Sequence, residues 1–352
     1  MSKKYKAHTM VKGSHRPRLS VSMIVRNEEN YLPGCLESVQ GVADEVIIVD
    51  TGSTDGTIGI AQKFGASIFH FPWINDFAAA RNESLRHCTG DWVLYIDADE
   101  RLGDESRKEL RRIIKNNEAA AYDCLLSCKE NHPKGTVHNI ASYPRLFRRL
   151  PQFYFEGKVH EQITYTINRS GCSILPSHII IEHLGYNQST VITVGKCERN
   201  IELLREQLAE HPEDTYSRFQ LGNSLGILGR HEEAIAELEH ALKDPNLPPR
   251  MRSTILTCLA AILVEEKQYE KALELTEASI DAVPDQVTAR WITVRARILI
   301  EDFAGALPLF DKIADIMGKR AVVQRVGVSF DAMIPMEDIY LWKGVCCLKT
   351  GA

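Results

Sequence analysis

The chain has no apolar run of the ~18 residues that a membrane-spanning helix needs, which argues against a helical membrane protein. It has no excess of basic charge. With 42 Lys and Arg against 47 Asp and Glu the net charge is −5, which argues against wholesale nucleic-acid binding. It has no Cys-x-x-Cys pair among its nine cysteines, several of which lie in apolar segments. The odd count and those contexts point to reduced thiols, and so to a cytoplasmic protein. The segment 1–18 carries Lys3, Lys4, Lys6, Lys12, Arg16 and Arg18 but no apolar core, so it is not a secretory signal. A flexible basic tail is expected there, with contact to a membrane surface as the other reading. Cys124, Cys128 and His132 lack a fourth ligand for zinc.

What is present starts with Asp97-Ala98-Asp99. These residues follow Trp92-Val93-Leu94-Tyr95-Ile96, a short apolar run introduced by Gly90-Asp91 that reads as a buried strand. Two carboxylates one residue apart thus stand at a strand's C-terminal end, where open α/β sheets bind ligands. Mg²⁺ prefers one or two carboxylates together with substrate phosphates, so the pair suits a metal–diphosphate. Upstream, Leu19 to Val25 reads as a strand, Asn30 to Val39 as a helix, and Glu45 to Asp50 as a second strand. The turn cluster Thr51-Gly52-Ser53-Thr54-Asp55-Gly56-Thr57 leads into a helix from Ile58 to Phe64. Ser67 to Phe71 reads as a third strand and Asp76 to His87 as a helix. The alternation predicts an α/β sheet with helices on its faces.

The segments Val21-Ser22-Met23-Ile24-Val25-Arg26-Asn27-Glu28-Glu29, Val49 to Thr57, Ala80-Arg81-Asn82 and Asp97-Ala98-Asp99 occur in that order. This series resembles the family 2 glycosyltransferases of the GT-A fold, a Rossmann-like nucleotide-diphospho-sugar transferase architecture. The resemblance implies sugar transfer from a nucleotide diphosphate donor, usually with inversion. It also implies that Asp50 contacts the nucleobase and that Val25, Asn27 and Glu28 line the nucleoside pocket. Arg81 would lie near the base or the diphosphate, Asp97 would touch ribose or metal-bound water, and Asp99 would bind the metal.

Farther on, Gly157-Lys158-Val159-His160-Glu161 and then His183 fit the order of glycine loop, acidic motif and C-terminal histidine in GT-A enzymes. An inverting transfer needs a carboxylate to take the acceptor's proton while a metal steadies the leaving diphosphate. Glu161 is the expected base, with Glu156 the next candidate. His183 is the expected second protein ligand of Mn²⁺ or Mg²⁺. His160 is placed with the catalytic residues or on the diphosphate.

From about Gly195 strand patterning gives way to helical self-similarity. The small residues Ala234, Ala272 and Ala306 stand 38 and 34 residues apart, and His231, Tyr269 and Phe303 each precede one of them by three positions. A period near 34 with small residues at helix crossings is the tetratricopeptide pattern. The expected division is a tail over 1–18, a GT-A domain over 19–194 and an all-α tetratricopeptide-like domain over 195–352.

The combined architecture, with Trp73 to Asn82 and Gly157 to Glu161, is similar to the bacterial sublancin-type peptide S-glycosyltransferases. That resemblance implies a UDP-hexose donor and a Cys or Ser of a peptide, such as a bacteriocin precursor, held by the repeats. The alternative is a family 2 enzyme acting on a cell-surface glycan or a lipid-linked acceptor, with the repeats forming a homodimer or a scaffold. Two other classes stay open. One is an inert scaffold, against which the full acidic set argues. The other is a nucleotidyltransferase, which wants a Gly- and Lys-rich phosphate loop where Arg26-Asn27-Glu28-Glu29 stands.

Overall fold

In the computed structural model of the chain, residues 16–116, 119–132, 135–184, 190–322, 334 and 336–351 are described. Most of the basic segment 1–18 lies outside them. The chain divides into two compact units, the first mainly Met1–Lys129 with Ser142–Asn187 and the second mainly Gln188–Arg325 with Ser329–Ala352. Among the described residues no helix is long and apolar enough to cross a membrane.

The first unit is built on a parallel half-sheet of β1 (Leu19–Val25), β2 (Glu45–Asp50), β3 (Ser67–His70) and β4 (Trp92–Tyr95). These pair in the order β3-β2-β1-β4. The sheet continues through β7 (Gly135–Arg148), β6 (Ala121–His132), β8 (Ile174–His183) and β5 (Glu100–Leu102). Side chains alternate across β1 and β4 because successive residues face opposite sides. Leu19, Val21, Met23, Trp92, Leu94 and Ile96 join one core, with Leu32, Cys35, Leu36 and Val39 of α1 (Leu32–Val39) and Leu110 and Ile113 of α4 (Asp104–Ile113). Val93 and Tyr95 join the other, with Ala78 of α3 (Phe77–His87), Phe147, Phe155 and Ile167 of α5 (Thr164–Arg169). Both faces are covered, which explains why β4 and most of β2 read as continuous apolar runs, while β1 buries Ser20 and Ser22 on its second face.

Helix starts differ slightly from the sequence reading. α1 begins at Leu32 rather than Asn30, with Pro33 in its first turn. α2 covers Thr57–Lys63. Asp76 is the N-cap of α3, not its first residue; its carboxylate accepts from Ala79 N at 2.8 Å, satisfying a donor that the first turn leaves open.

Apart from the strand residues within Glu130–Ala141, the described part of the second unit is helical. α6 (Thr190–Glu210) opens a little before Gly195. α7 (Thr215–Ile227) packs on α8 (His231–Ala241), α9 (Pro249–Glu265) on α10 (Tyr269–Ala282), and α11 (Val287–Leu299) on α12 (Phe303–Val322). α13 (Met336–Thr350) packs on α12. Ala234, Ala272 and Ala306 are each fully buried, as close helix approach requires. His231, Tyr269 and Phe303 are the first residues of α8, α10 and α12. Two residues before each start the chain turns left-handed, at Gly229, Lys267 and Glu301 with φ of 71°, 60° and 61°. Trp291 packs against Phe310 inside this unit, whereas Tyr340, Leu341 and Leu348 of α13 are exposed.

Only glycine enters the left-handed region without steric cost. Gly229→Ala should therefore destabilise the protein by about 1 kcal/mol, and Glu301→Gly should stabilise it by a similar or smaller amount. Urea denaturation of both variants checks this.

Candidate active site

Two loops meet at the ends of β1 and β2. Asn27, itself left-handed at φ 57°, donates its backbone N–H to Ser53 Oγ at 2.9 Å and accepts Thr54 N at Oδ1 at 2.8 Å. Glu28 N donates to Thr57 Oγ1, and Glu29 Oε2 accepts from Gly56 N. The Asn27 side chain is exposed and Glu28 is half-buried. Asp50 lies beneath this cup, buried, accepting from Gly52 N and Ser53 N, with His70 Nδ1 3.5 Å away. Its visible work is to cap the turn. Val25 stands apart from the other nucleoside-pocket candidates. Its side chain is in the core, and its carbonyl accepts from Thr51 N and Thr51 Oγ1.

α3 carries the next layer. Ser84 meets Ser22 of β1 at 2.6 Å, and one helical turn earlier Arg81 is buried at 7% exposure. Arg81 Nη2 donates to Asp97 Oδ1 at 2.9 Å and Nε to Glu161 Oε1 at 2.5 Å. The guanidinium lies 4.9 Å from the Tyr95 ring centroid, a favourable cation–π distance. Arg81 therefore joins two expected functional carboxylates.

Glu161 stands in a short loop closed by reciprocal backbone hydrogen bonds between Glu156 and Gln162. Gly157 and His160 both take positive φ, 100° and 54°. The loop is pinned to α3 by Phe77 N donating to Lys158 O, and by the Asn82 amide, which donates to Phe155 O and accepts from Phe155 N. Glu156, the second candidate base, pairs with Arg169 instead.

On the other side of Asp97, Asp99 Oδ2 lies 3.1 Å from His183 Nε2, both about one-fifth exposed. Strand register makes this pair. Glu100 opposes His183 across β5 and β8, and Leu184 N donates to Asp99 O at 2.9 Å. Burial disfavours a charged His183, but the hydrogen bonds to Asp99 and Cys128 outweigh it and push the imidazole up to about 10. Cys128 Sγ stands 3.8 Å from His183 Nδ1. It therefore faces this histidine rather than forming a zinc site with Cys124, which is buried in the core. The side chain of His132 lies outside the described residues.

Among the described residues no three His, Cys, Asp or Glu side chains are placed to hold a metal ion. Asp99 and His183 offer two convergent donors. A hard divalent cation would take its remaining oxygens from a diphosphate and water, so this donor set fits a cation that arrives with its nucleotide. Binding would displace the proton from His183.

Sequence reading missed two members of this cluster. Arg145 Nη2 donates to Glu100 Oε1 at 2.8 Å, and Nη1 lies 3.7 Å from Asp97 Oδ2. Glu100 and Arg145 are buried, and burial pushes Glu100 up to about 7 against the pull of Arg145. An arginine directly before the apolar pair Leu146-Phe147 and a glutamate directly after the acidic pair were the available signals.

Residues 20–183 match the family model described as Glycosyl transferase family 2. A TPR repeat-containing protein of Synechococcus elongatus is 34% identical over 285 residues, covering 79% of this chain and 70% of that protein. The SPbeta prophage-derived glycosyltransferase SunS of Bacillus subtilis is 31% identical over 264 residues, covering 73% of this chain and 61% of that one, so the match spans less than two thirds of its length. Among solved structures, S. aureus TarS 1–349 in complex with UDP-GlcNAc aligns over 80% of this chain and 91% of that one at 16% identity. The TM-score is 0.43. Fold and site together define a GT-A glycosyltransferase followed by tetratricopeptide-like helical repeats. The chain belongs to glycosyl transferase family 2.

Burial opposes ionisation of Asp97, but Arg81 and Arg145 outweigh it and pull the carboxyl down to about 2. A group depressed below its ordinary value of about 3.9 contributes stability above that value and loses it as pH falls through the lower one. Asp97→Asn should therefore be less stable than wild type at about pH 5, with the gap closing as pH falls towards 2. Urea denaturation across that range reads the difference.

Proposed function

We propose that this enzyme moves a sugar, with inversion, from a nucleoside-diphospho-sugar, UDP-hexose by preference, to a Cys or Ser side chain of a peptide. The observation that carries the reading is the chain of contacts from His183 and Asp99, past Asp97, through Arg81 to Glu161. It supports reading Asp99 and His183 as a metal-donor pair and Glu161 as the base, with the buried Arg81 between them. Asp99 and His183 would hold Mn²⁺ or Mg²⁺, which when bound supplies positive charge to the diphosphate oxygens. Asn27, Glu28 and Asp50 would form the nucleoside side through the two-loop cup, Val25 contributing only the strand that supports it.

Glu161 takes the proton of the acceptor hydroxyl or thiol as that atom forms its bond to the sugar's anomeric carbon. The bond from that carbon to the β-phosphate oxygen breaks, and the nucleoside diphosphate leaves with the electron pair. Arg81 fixes the orientation of Glu161 through Oε1. His160, left-handed beside it, shapes the loop that presents the carboxylate. Stacked helix pairs suit an extended polypeptide, which supports assigning acceptor binding to the repeats. The exposed apolar residues of α13 support a second role for the same unit in self-association. The nine free cysteines, mostly buried, support a reducing cytoplasmic setting.

A donor screen tests the class of reaction. Nucleoside diphosphate released from a sugar nucleotide is expected, pyrophosphate would indicate nucleotidyl transfer, and no turnover would indicate a scaffold. Asp99→Ala should abolish turnover while the protein remains folded, as circular dichroism checks. Full activity of the wild type in excess chelator would remove the metal from the reaction.

Glu161→Gln keeps shape and loses basicity. A rate loss of about 10²–10⁴ on a hydroxyl acceptor is expected, with donor binding retained. A thiol acceptor, partly ionised already, should lose less. Steady-state kinetics with both acceptor types measures the contrast.

A further inference from the structure

We propose that Glu100 and Arg145 are a positioning pair that sets the shape of the Asp97-Ala98-Asp99 turn and so aims Asp99 at His183. This rests on the reading of that turn as the seat of a metal-borne diphosphate.

The turn is held from every side. Glu100 Oε2 accepts from Asp97 N at 2.8 Å, and Glu100 N donates back to Asp97 O at 3.0 Å. Cys35 Sγ also donates to Asp97 O, and Arg101 Nη1 donates to Ala98 O at 2.8 Å. Leu184 N closes the far end on Asp99 O. Within this set Glu100 is the hub, because its two oxygens serve the turn and Arg145 at once.

Arg145 is placed by strand pairing. β7 runs antiparallel to β4 with Leu94 opposite Leu146, which sets Arg145 beside the end of β4. Its guanidinium lies 4.4 Å from the Tyr95 ring centroid, donates to Glu100 and lies close to Asp97 Oδ2. The planar fork can address both carboxylates together, which a single ammonium cannot. Glu100 is fully buried and Arg145 is 7% exposed, and their contacts run to each other and to the turn. Both act through the turn. A buried ion pair is seldom more stabilising than an apolar pair of similar volume, so stability alone does not account for two charges here.

The test uses the full chain, with Mn²⁺ titrated by calorimetry in the presence of UDP and the melting temperature measured in parallel. Arg145→Met should lower both, since it leaves Glu100 buried without its partner. The double variant Glu100→Leu with Arg145→Met should recover the melting temperature, while affinity for Mn²⁺ with UDP stays about 10–100-fold below wild type. Arg145→Lys should keep the melting temperature and still lose affinity. Affinity that returns to the wild-type value in the double variant, or is unchanged in Arg145→Lys, overturns the proposal and leaves the pair a structural one. Wild type that binds UDP equally with and without Mn²⁺ overturns instead the reading of the turn, and this proposal with it.

Discussion

A carboxylate in a site partly cut off from water needs positive charge beside it to stay ionised. Here two guanidinium groups, Arg81 from α3 and Arg145 from β7, hold Asp97 in that state. The carboxylates in turn raise both arginines further above their ordinary values despite burial. Each arginine then spends its remaining reach on a second acid, Glu161 or Glu100. Remove Asp97 and two buried cations lose their shared partner. The acidic turn, the candidate base and the strand end are therefore one electrostatic unit.

Much of the first unit was legible because burial on both faces leaves a plain mark. Leu19 to Val25, polar only at Ser20 and Ser22, and the apolar run Trp92 to Ile96 are of strand length and end in polar turns, and the candidate site lies at those ends. The acidic pair and His183 could be read because their residue types suit a cation, and register does bring Asp99 to His183. Arg145 and Glu100 could not be assigned roles the same way. Their partners come from a strand far along the chain, and the pairing of β4 with β7 is a non-local fact that periodicity does not encode. Asp50 shows the opposite difficulty. Its position was legible, but the two N–H groups it accepts are provided by a turn geometry that the letters only hint at.

The helical unit was legible through spacing rather than chemistry. Alanines at a period near 34 mark crossings where a larger side chain would hold helices apart. The turn before each second helix was not legible, since Lys267 and Glu301 adopt a backbone state that their sequence does not advertise. A polar seam inside the unit also escaped notice. Ser253, Thr257 and Ser279 exchange hydroxyl hydrogen bonds at 2.8 Å between α9 and α10, and Thr276 meets Thr293 of α11 at the same distance. Such buried pairs fix how far one helix can slide along the next.

The attachment of α3 has a mechanical consequence. Through Arg81 it holds Asp97 and Glu161, through Phe77 N and Asn82 it holds the 153–162 segment, and through Ser84 it holds β1. One rod thus serves as a common support for both carboxylates. A shift of α3 that moves Glu161 would also move Asp97, so the two positions are not free to drift independently.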